Sequence, residues 1–172
     1  MGQRGNGYAD LHLMYNELCS HSTGRLLFLW NDDAMMLTPG WDEKLVPFDV
    51  GKLCYLNVGV DVGSKAPQSD KGDLSFPIVH RTYYDVLGHY SPWAHNDTYV
   101  YWVLQPFFGH GIHHESGINV RHLIHDYLAT GDATSVEGRN MHPQTRAIRK
   151  TAPFLAQLEA DRQKIAAHLA SK

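Results

Sequence analysis

The chain is poor in the features that define several large classes of protein. Among its 172 residues there are only two cysteines, Cys19 and Cys54, and their separation has neither metal-binding nor redox spacing. This argues against a disulfide framework and predicts a reducing compartment, so we expect the protein to be cytoplasmic. No apolar run is long enough to cross a bilayer, and residues 1–7 lack the apolar core of a signal peptide.

Positive charge is also scarce. There are 15 Lys and Arg residues against 18 Asp and Glu, the formal net charge is -3, and no basic stripe is present. A protein whose main role is to bind nucleic acid needs a basic surface, so the composition argues against that role. What the chain has in excess is histidine, with twelve residues that cluster after residue 80. This favours metal or proton chemistry in that part of the chain.

One apolar run ends abruptly in polar residues. Residues 26–30 are apolar and lead directly into Asn31, Asp32 and Asp33. Such a run is typical of a buried central strand, and ligands of open α/β sheets lie beyond the carboxyl ends of strands. Two adjacent acids there are costly unless a positive group joins them, and a divalent cation that carries a diphosphate is the usual one. The alternative is that Asn31 and Asp32 cap a turn and Asp33 is solvated.

The remaining periodicity predicts alternating helices and strands. An amphipathic helix is expected over 8–22, with Leu11, Met14, Tyr15 and Leu18 on its apolar face. Strands are expected over 53–60, 76–79, 111–115 and 119–125, and helices over 82–87, 97–104 and from 143 onward.

Several of these features occur in an order that resembles a known family. They are Asn16 in the first helix, Thr23-Gly24, the apolar strand, Asn31-Asp32-Asp33, Trp41, Phe76-Pro77-Ile78-Val79-His80-Arg81, Gly88-His89-Tyr90 and Asn96-Asp97. Over roughly residues 8–135 the set resembles the later part of a GT-A fold glycosyltransferase of family 2. The resemblance implies an α/β fold with a mixed, mostly parallel central sheet, Rossmann-like and flanked by helices, and with a C-terminal helix.

The resemblance also implies an activity and a set of site residues. It implies a metal-dependent, inverting transfer of sugar from a nucleotide-diphosphate sugar to a hydroxyl of a glycan or other acceptor, with Mn²⁺ or Mg²⁺ as cofactor. The acidic triplet corresponds to the family's metal motif, with Asn31 where the family has Asp. The implied roles are metal binding by Asp33 and His125, donor binding by Asn31, Asp32, Arg81, Tyr90 and Trp93, and general base catalysis by Asp97.

Two of these assignments have competitors in the sequence itself. His122 lies out of phase with His125 on the expected strand and would face the other way, so it is the second candidate for the metal. Asp97 opens a helix, where capping is an equally good role for a carboxylate.

The resemblance further predicts how the chain is organised. Residues 1–142 would form a truncated glycosyltransferase domain, and residues 143–172 a helical extension packed on it. The family's nucleoside-binding βα units should precede Tyr8, and we expect them to be missing here. At ~30 residues per unit, the missing part amounts to on the order of 60 to 90 residues. We therefore expect weak binding of nucleotide sugars or none, and an exposed sheet edge through which the chain could form a homo-oligomer.

Two rival functions remain open at this point. The first is a metal-dependent phosphoesterase that uses Asp33, His113, His114 and His125. Adjacent residues of a strand face opposite ways, so His113 and His114 would not share one ion. The second is an inactive remnant of a transferase that acts only as a binding module.

Overall fold

The computed structural model of the protein describes residues 7–61, 74–123 and 147–172. The strands are β1 (Leu26–Phe28), β2 (Ala34–Met36), β3 (Tyr55–Asp61), β4 (Ile78–His80) and β5 (His113–His122). The helices are α1 (Leu11–His21), α2 (Trp41–Leu45), α3 (Thr82–Leu87), α4 (Asn96–Leu104) and α5 (Ala152–Ala170). Short 3₁₀ segments, Gly7–Asp10, Val46–Phe48 and Gln105–His110, precede α1 and follow α2 and α4.

The five strands form one sheet in the order β1-β4-β3-β5-β2. Three of the four pairings are antiparallel, and the pairing of β3 with β5 is parallel. The sheet is strongly curled into a half-barrel, so that it encloses side chains on one face and carries helices on the other.

The predicted mostly parallel central sheet is therefore wrong. Parallel neighbours need a crossover connection of about a dozen residues or more, and in the described part of the sheet only β3 and β5, which residues 62–112 connect, are paired in parallel. The predicted central strand is also wrong, because β1 is three residues long and lies at a sheet edge. Its unbroken apolar run arises because both faces are covered: Leu27 packs toward the helices, while Leu26 and Phe28 pack inside the curl.

Two hydrophobic clusters occupy the two faces of the sheet. The strands alternate between them, so that Tyr55 and Val79 lie in the first cluster and their neighbours Leu56 and Ile78 in the second. The first cluster joins the sheet to the helices, through side chains such as Cys19, Tyr83, Val100 and Phe154. The second fills the curl and includes Leu45, Val58, Phe76, Ile118 and Val120.

The C-terminal helix α5 is part of the first cluster. Its Phe154, Leu158 and Ile165 are buried, and it packs against α3 and α4. None of the helices in the described ranges is both long enough and apolar enough to span a membrane.

The two cysteines lie in different clusters and are unbonded. Cys19 belongs to the first cluster and Cys54 to the second, and both are buried. Burial raises the pKa of each thiol to about 11, which keeps both protonated at neutral pH and makes them poor nucleophiles.

A buried histidine at the end of β4 predicts a loss of stability in mild acid. The Nδ1 atom of His80 accepts a hydrogen bond from the backbone N–H of Thr82 at 3.1 Å, so the ring is neutral with its proton on Nε2. Burial lowers the pKa of His80, against a smaller opposite effect of Asp49 and Asp85. The unfolded chain therefore binds the proton more readily, and the free energy of unfolding should fall as pH drops below about 6.5.

The matching experiment is chemical denaturation between pH 7.5 and 5. The titration of His80 alone can change the free energy of unfolding by about 1.4 kcal/mol per pH unit, and this is the slope to be compared. In His80→Asn, whose amide oxygen can accept the same N–H, the slope should be reduced. The slope should be unchanged in the control His110→Asn, because His110 is exposed. Equal slopes in all three proteins would show that His80 titrates normally in the fold.

Candidate functional site

The predicted metal ligand Asp33 lies beside a histidine at one end of the curled sheet. Asp33 directly precedes β2, whose first residue Ala34 pairs with His122 at the end of β5. The backbone N–H of Leu123 donates to the carbonyl of Asp33 at 2.8 Å and holds the two segments together. As a result, Oδ2 of Asp33 is 3.3 Å from Nε2 of His122.

The surroundings of this pair restrict the imidazole. The side chain of His122 is 7% exposed, and the ring of Phe76 packs edge-on against it with centroids 5.0 Å apart. Asp33 remains 24% exposed, so the pair is open to solvent on the carboxylate side. The imidazole nitrogen that faces Asp33 is therefore buried, whereas the carboxylate is accessible from solvent.

The sequence favoured His125 over His122 as the partner of Asp33. His125 lies outside the described residues, so its assignment stays a prediction. The structure instead places His122 next to Asp33, because strand parity puts His122 on the same face as Ile118 and Val120, inside the curl.

The first residue of the triplet is tied to helix α1. The hydroxyl of Tyr15 lies 3.0 Å from the carbonyl of Trp30 and 3.4 Å from Oδ1 of Asn31, and donates its proton to them. Asp32, the middle residue, is exposed. The triplet therefore presents three different environments: an amide held by Tyr15, an exposed carboxylate, and a carboxylate paired with His122.

Tyrosines connect this region with Asp97, the predicted base. The rings of Tyr15 and Tyr90 lie 6.2 Å apart. Burial is the main cause that raises the pKa of Tyr90 and of Tyr55, and the negative charge of nearby Asp97 raises both further. Asp97 is thus within electrostatic range of Tyr55 and Tyr90, and Tyr90 in turn packs against Tyr15.

Asp97 also stabilises the start of its own helix. Helix α4 begins at Asn96 with His95 as N-cap, and Oδ1 of Asp97 accepts the backbone N–H of Thr98 at 2.6 Å. This N–H is one of those that a helix start leaves without an intrahelical partner. The geometry therefore shows a helix-stabilising contact, and the role of Asp97 as general base stays a prediction.

Three other predicted donor-binding residues are placed away from the triplet or buried. Arg81 lies at the opposite end of β1, where its guanidinium donates to the carbonyls of Cys19, Ser22 and Gly24 and so caps the C-terminus of α1. Tyr90 is 1% exposed, so its ring is closed to a ligand in this conformation.

The third of them, Trp93, lines a cavity of about 260 Å³. The cavity lies against the face of α4 that carries Thr98 and Trp102. At 100° per residue this face is opposite to Asp97. Trp93 is therefore not brought together with the acidic triplet and Asp97.

The histidine pair at the start of β5 faces two directions, as strand alternation requires. His113 stacks on Phe108 with centroids 4.3 Å apart, and His114 packs against Phe48 at 5.3 Å. His113 is nine positions before His122 on the same strand, which corresponds to roughly 30 Å. Neither His113 nor His114 can therefore reach the ion that Asp33 and His122 could share.

The metal-binding capacity of the described residues is limited to partial sites. Across the described ranges, no group of three or more His, Cys, Asp and Glu side chains is placed to hold an ion. The pair of Asp33 and His122 nevertheless has suitable spacing. Two ligands that bind one ion at right angles with bonds of about 2.1 Å are about 3 Å apart. The pair thus fits a divalent ion whose other ligands come from phosphate oxygens and water.

Comparison with known proteins adds no further assignment, since no protein-family model, no curated protein and no solved structure matches the chain. The role of Asp33, His122 and Asp97 therefore has to be argued from their chemistry.

Proposed function

We propose that the chain belongs to a metal-dependent, inverting glycosyltransferase that uses a nucleotide-diphosphate sugar. The observation that carries the proposal is the 3.3 Å approach of the Asp33 carboxylate to the His122 imidazole, immediately after Asn31 and Asp32. Mn²⁺ and Mg²⁺ bind mainly oxygen ligands, imidazole is the commonest side-chain ligand of metal ions in general, and Mg²⁺ sites are usually completed by substrate phosphates. Bound there, the ion would neutralise charge on the leaving diphosphate.

The chain's own residues supply the remaining functions. Asp32 is exposed beside the pair and can accept hydrogen bonds from sugar hydroxyls. Asp97, the base that the resemblance implies, acts electrostatically on Tyr55 and Tyr90, and in the proposed transfer it removes the proton of the acceptor hydroxyl. The acceptor oxygen then forms its bond to the anomeric carbon while the bond from that carbon to the diphosphate oxygen breaks, and the configuration inverts.

The proposal draws its support from the site and from the ordered motifs. The sheet is mostly antiparallel and lends no support to it. The geometry weighs against a phosphoesterase built on Asp33, His113 and His114, because β5 separates the histidines from Asp33 by roughly 25–30 Å. A binding module remains the second candidate, since β1 has an unpaired edge within the described part of the sheet.

The first test is calorimetry with inorganic pyrophosphate and Mn²⁺. Pyrophosphate is the part of the donor that the triplet region would hold, so it does not depend on the nucleoside pocket. We expect binding of pyrophosphate that requires Mn²⁺, and a loss of at least about tenfold in affinity in Asp33→Asn and in His122→Gln. Asp85→Asn, which removes an exposed carboxylate on α3, is the matched control.

Activity is then measured as cleavage of UDP-, GDP- and dTDP-sugars by ³¹P NMR. Slow, Mn²⁺-dependent release of nucleoside diphosphate that Asp33→Asn abolishes would support the transferase. Absence of Mn²⁺-dependent pyrophosphate binding would overturn the proposed site. Binding of pyrophosphate without cleavage of any donor would favour the binding module instead.

A further inference from the structure

A second site lies on the far side of α4 from Asp97. It is the cavity of about 260 Å³ introduced above, and it is enclosed by residues around the start of α1, by the loop between α3 and α4, by α4, and by residues just before and at the start of α5. Its walls are mainly aromatic: Trp93, Tyr99, Trp102 and Phe154. The proposed glycosyl transfer uses none of these contacts, so this site does not depend on the proposed function.

The aromatic walls favour a flat apolar ligand. Phe154 packs against Trp93, Tyr99 and Trp102 with ring centroids 5.6–6.0 Å apart. These contacts hold the walls in fixed orientations, and rings are bound best when they meet other rings edge-on or offset. A dry cavity of about 150 Å³ holds one benzene molecule. The larger volume here fits one fused bicyclic ring with a short polar arm.

The polar groups at the cavity define the charge of that arm. The guanidinium carbon of Arg149 lies 5.0 Å above the ring of Trp102, which fixes a positive charge at the wall. The indole N–H of Trp93 is buried and has no hydrogen-bond acceptor within the described part of the chain. Indole N–H groups and guanidinium groups are donors only, so the complementary ligand carries an acceptor.

Two further features agree with an anionic arm. No Asp or Glu belongs to the described lining of the cavity. The first turn of α5 contributes Phe154 to the wall and has no side-chain hydrogen bond at its N-cap, and a helix N-terminus favours negative charge.

We propose that this cavity binds a small aromatic carboxylate, whose ring packs against the wall formed by Trp93, Trp102 and Phe154. The carboxylate accepts hydrogen bonds from Arg149 and from the indole N–H of Trp93. The bidentate geometry of guanidinium and carboxylate groups accounts for the selectivity for a planar acid.

The test compares an acid with its uncharged analogue. Indole-3-acetate is titrated by calorimetry and by the quenching of tryptophan fluorescence, in parallel with indole-3-acetamide and with acetate alone. We expect indole-3-acetate to bind at least tenfold more tightly than the amide, and acetate not to bind. Equal affinity for acid and amide, or no binding of the acid at millimolar concentration, would overturn the proposal.

Variants locate the binding within the molecule. Arg149→Gln should lower the affinity for indole-3-acetate by at least tenfold and leave the affinity for indole-3-acetamide nearly unchanged. Lys150→Gln removes the neighbouring exposed charge and should change neither of these two affinities. The indole N–H resonance of Trp93, assigned by its loss in Trp93→Phe, should shift on titration with the acid. A shift confined to Trp30 or Trp41, or full affinity in Arg149→Gln, would place the ligand elsewhere and contradict the inference.

Discussion

Replacing Asp161 with Ala is expected to lower the free energy of unfolding by about 3–5 kcal/mol, as is typical when one member of a buried charged network is removed. Asp161 lies in α5 and is 0% exposed. Its Oδ2 accepts the hydroxyl proton of Tyr99 at 2.6 Å and lies 3.1 Å from Nε2 of His89. Its Oδ1 accepts from Gln157 and Lys164 at 3.1 and 3.3 Å. The variant would leave several of these donors without their acceptor.

The measurement is urea denaturation of Asp161→Ala beside Glu159→Ala. The control removes an exposed acid from the same helix and should change stability by less than about 0.5 kcal/mol. If Asp161→Ala does not fold, Tyr99→Phe tests the same network, because it removes one hydrogen bond to a charged group, worth about 1.5–3 kcal/mol. A loss of less than 1 kcal/mol in Asp161→Ala would show that the network contributes little.

The pH dependence of this network has a defined sign. Burial acts to raise the pKa of Asp161, but the hydrogen bonds from His89 and Tyr99 outweigh it and lower the pKa. The folded state therefore binds the proton less readily than the unfolded chain. The resulting stability is present above pH ~4 and is lost as pH falls through the lowered pKa. Tyr99→Phe should move acid unfolding to higher pH.

Local signals in the sequence predicted the ends of several elements correctly. The helix expected over 82–87 is α3, and Gly88 ends it with a φ of 81°, which glycine adopts at little cost. Thr151 and Pro153 are typical of a helix start, and α5 begins at Ala152 with Thr151 as N-cap. These signals act within one or two turns, so they do not depend on the rest of the fold.

Features that depend on distant contacts were predicted less well. The sequence indicated two strands, 111–115 and 119–125, but the structure has the single strand β5. Gly117 has a φ of 68°, a backbone conformation that would normally end a strand. The strand continues because its pairing register with β3 shifts between Asn57 and Gly59. The predicted apolar face of α1 is wrong in part, because Met14 and Leu18 are more than half exposed and Cys19 is buried instead.

The site shows the same division between local and distant information. The position of Asp33 after an apolar run was evident from the sequence, and so was its candidacy as a ligand. Its neighbour His122 was ranked second, because the pairing of Ala34 with His122 joins residues 88 positions apart and leaves no local signal. The roles of Tyr15 beside Asn31 and of Arg149 at the cavity were missed for the same reason.

Asp97→Asn is expected to lower turnover by ~10²–10⁴-fold without a loss of stability, if Asp97 is the general base of the proposed transfer. The amide cannot take the acceptor proton, whereas its oxygen can still accept the backbone N–H of Thr98. A helix N-terminus favours the anion and so weakens the base. The buried rings of Tyr55 and Tyr90 nearby exclude water and partly offset this effect.

The experiment measures kcat and melting temperature on the same preparations, with a donor that the protein cleaves. Asp85→Asn removes an acid from the first turn of α3 and is the matched control, for which both quantities should be unchanged. Asp97→Glu, which keeps a carboxylate, should retain more turnover than Asp97→Asn. If Asp97→Asn has normal kcat, Asp97 does not act as the base. If its melting temperature falls together with kcat, the hydrogen bond to Thr98 is the main role of this carboxylate, because the base hypothesis expects kcat to fall at constant stability.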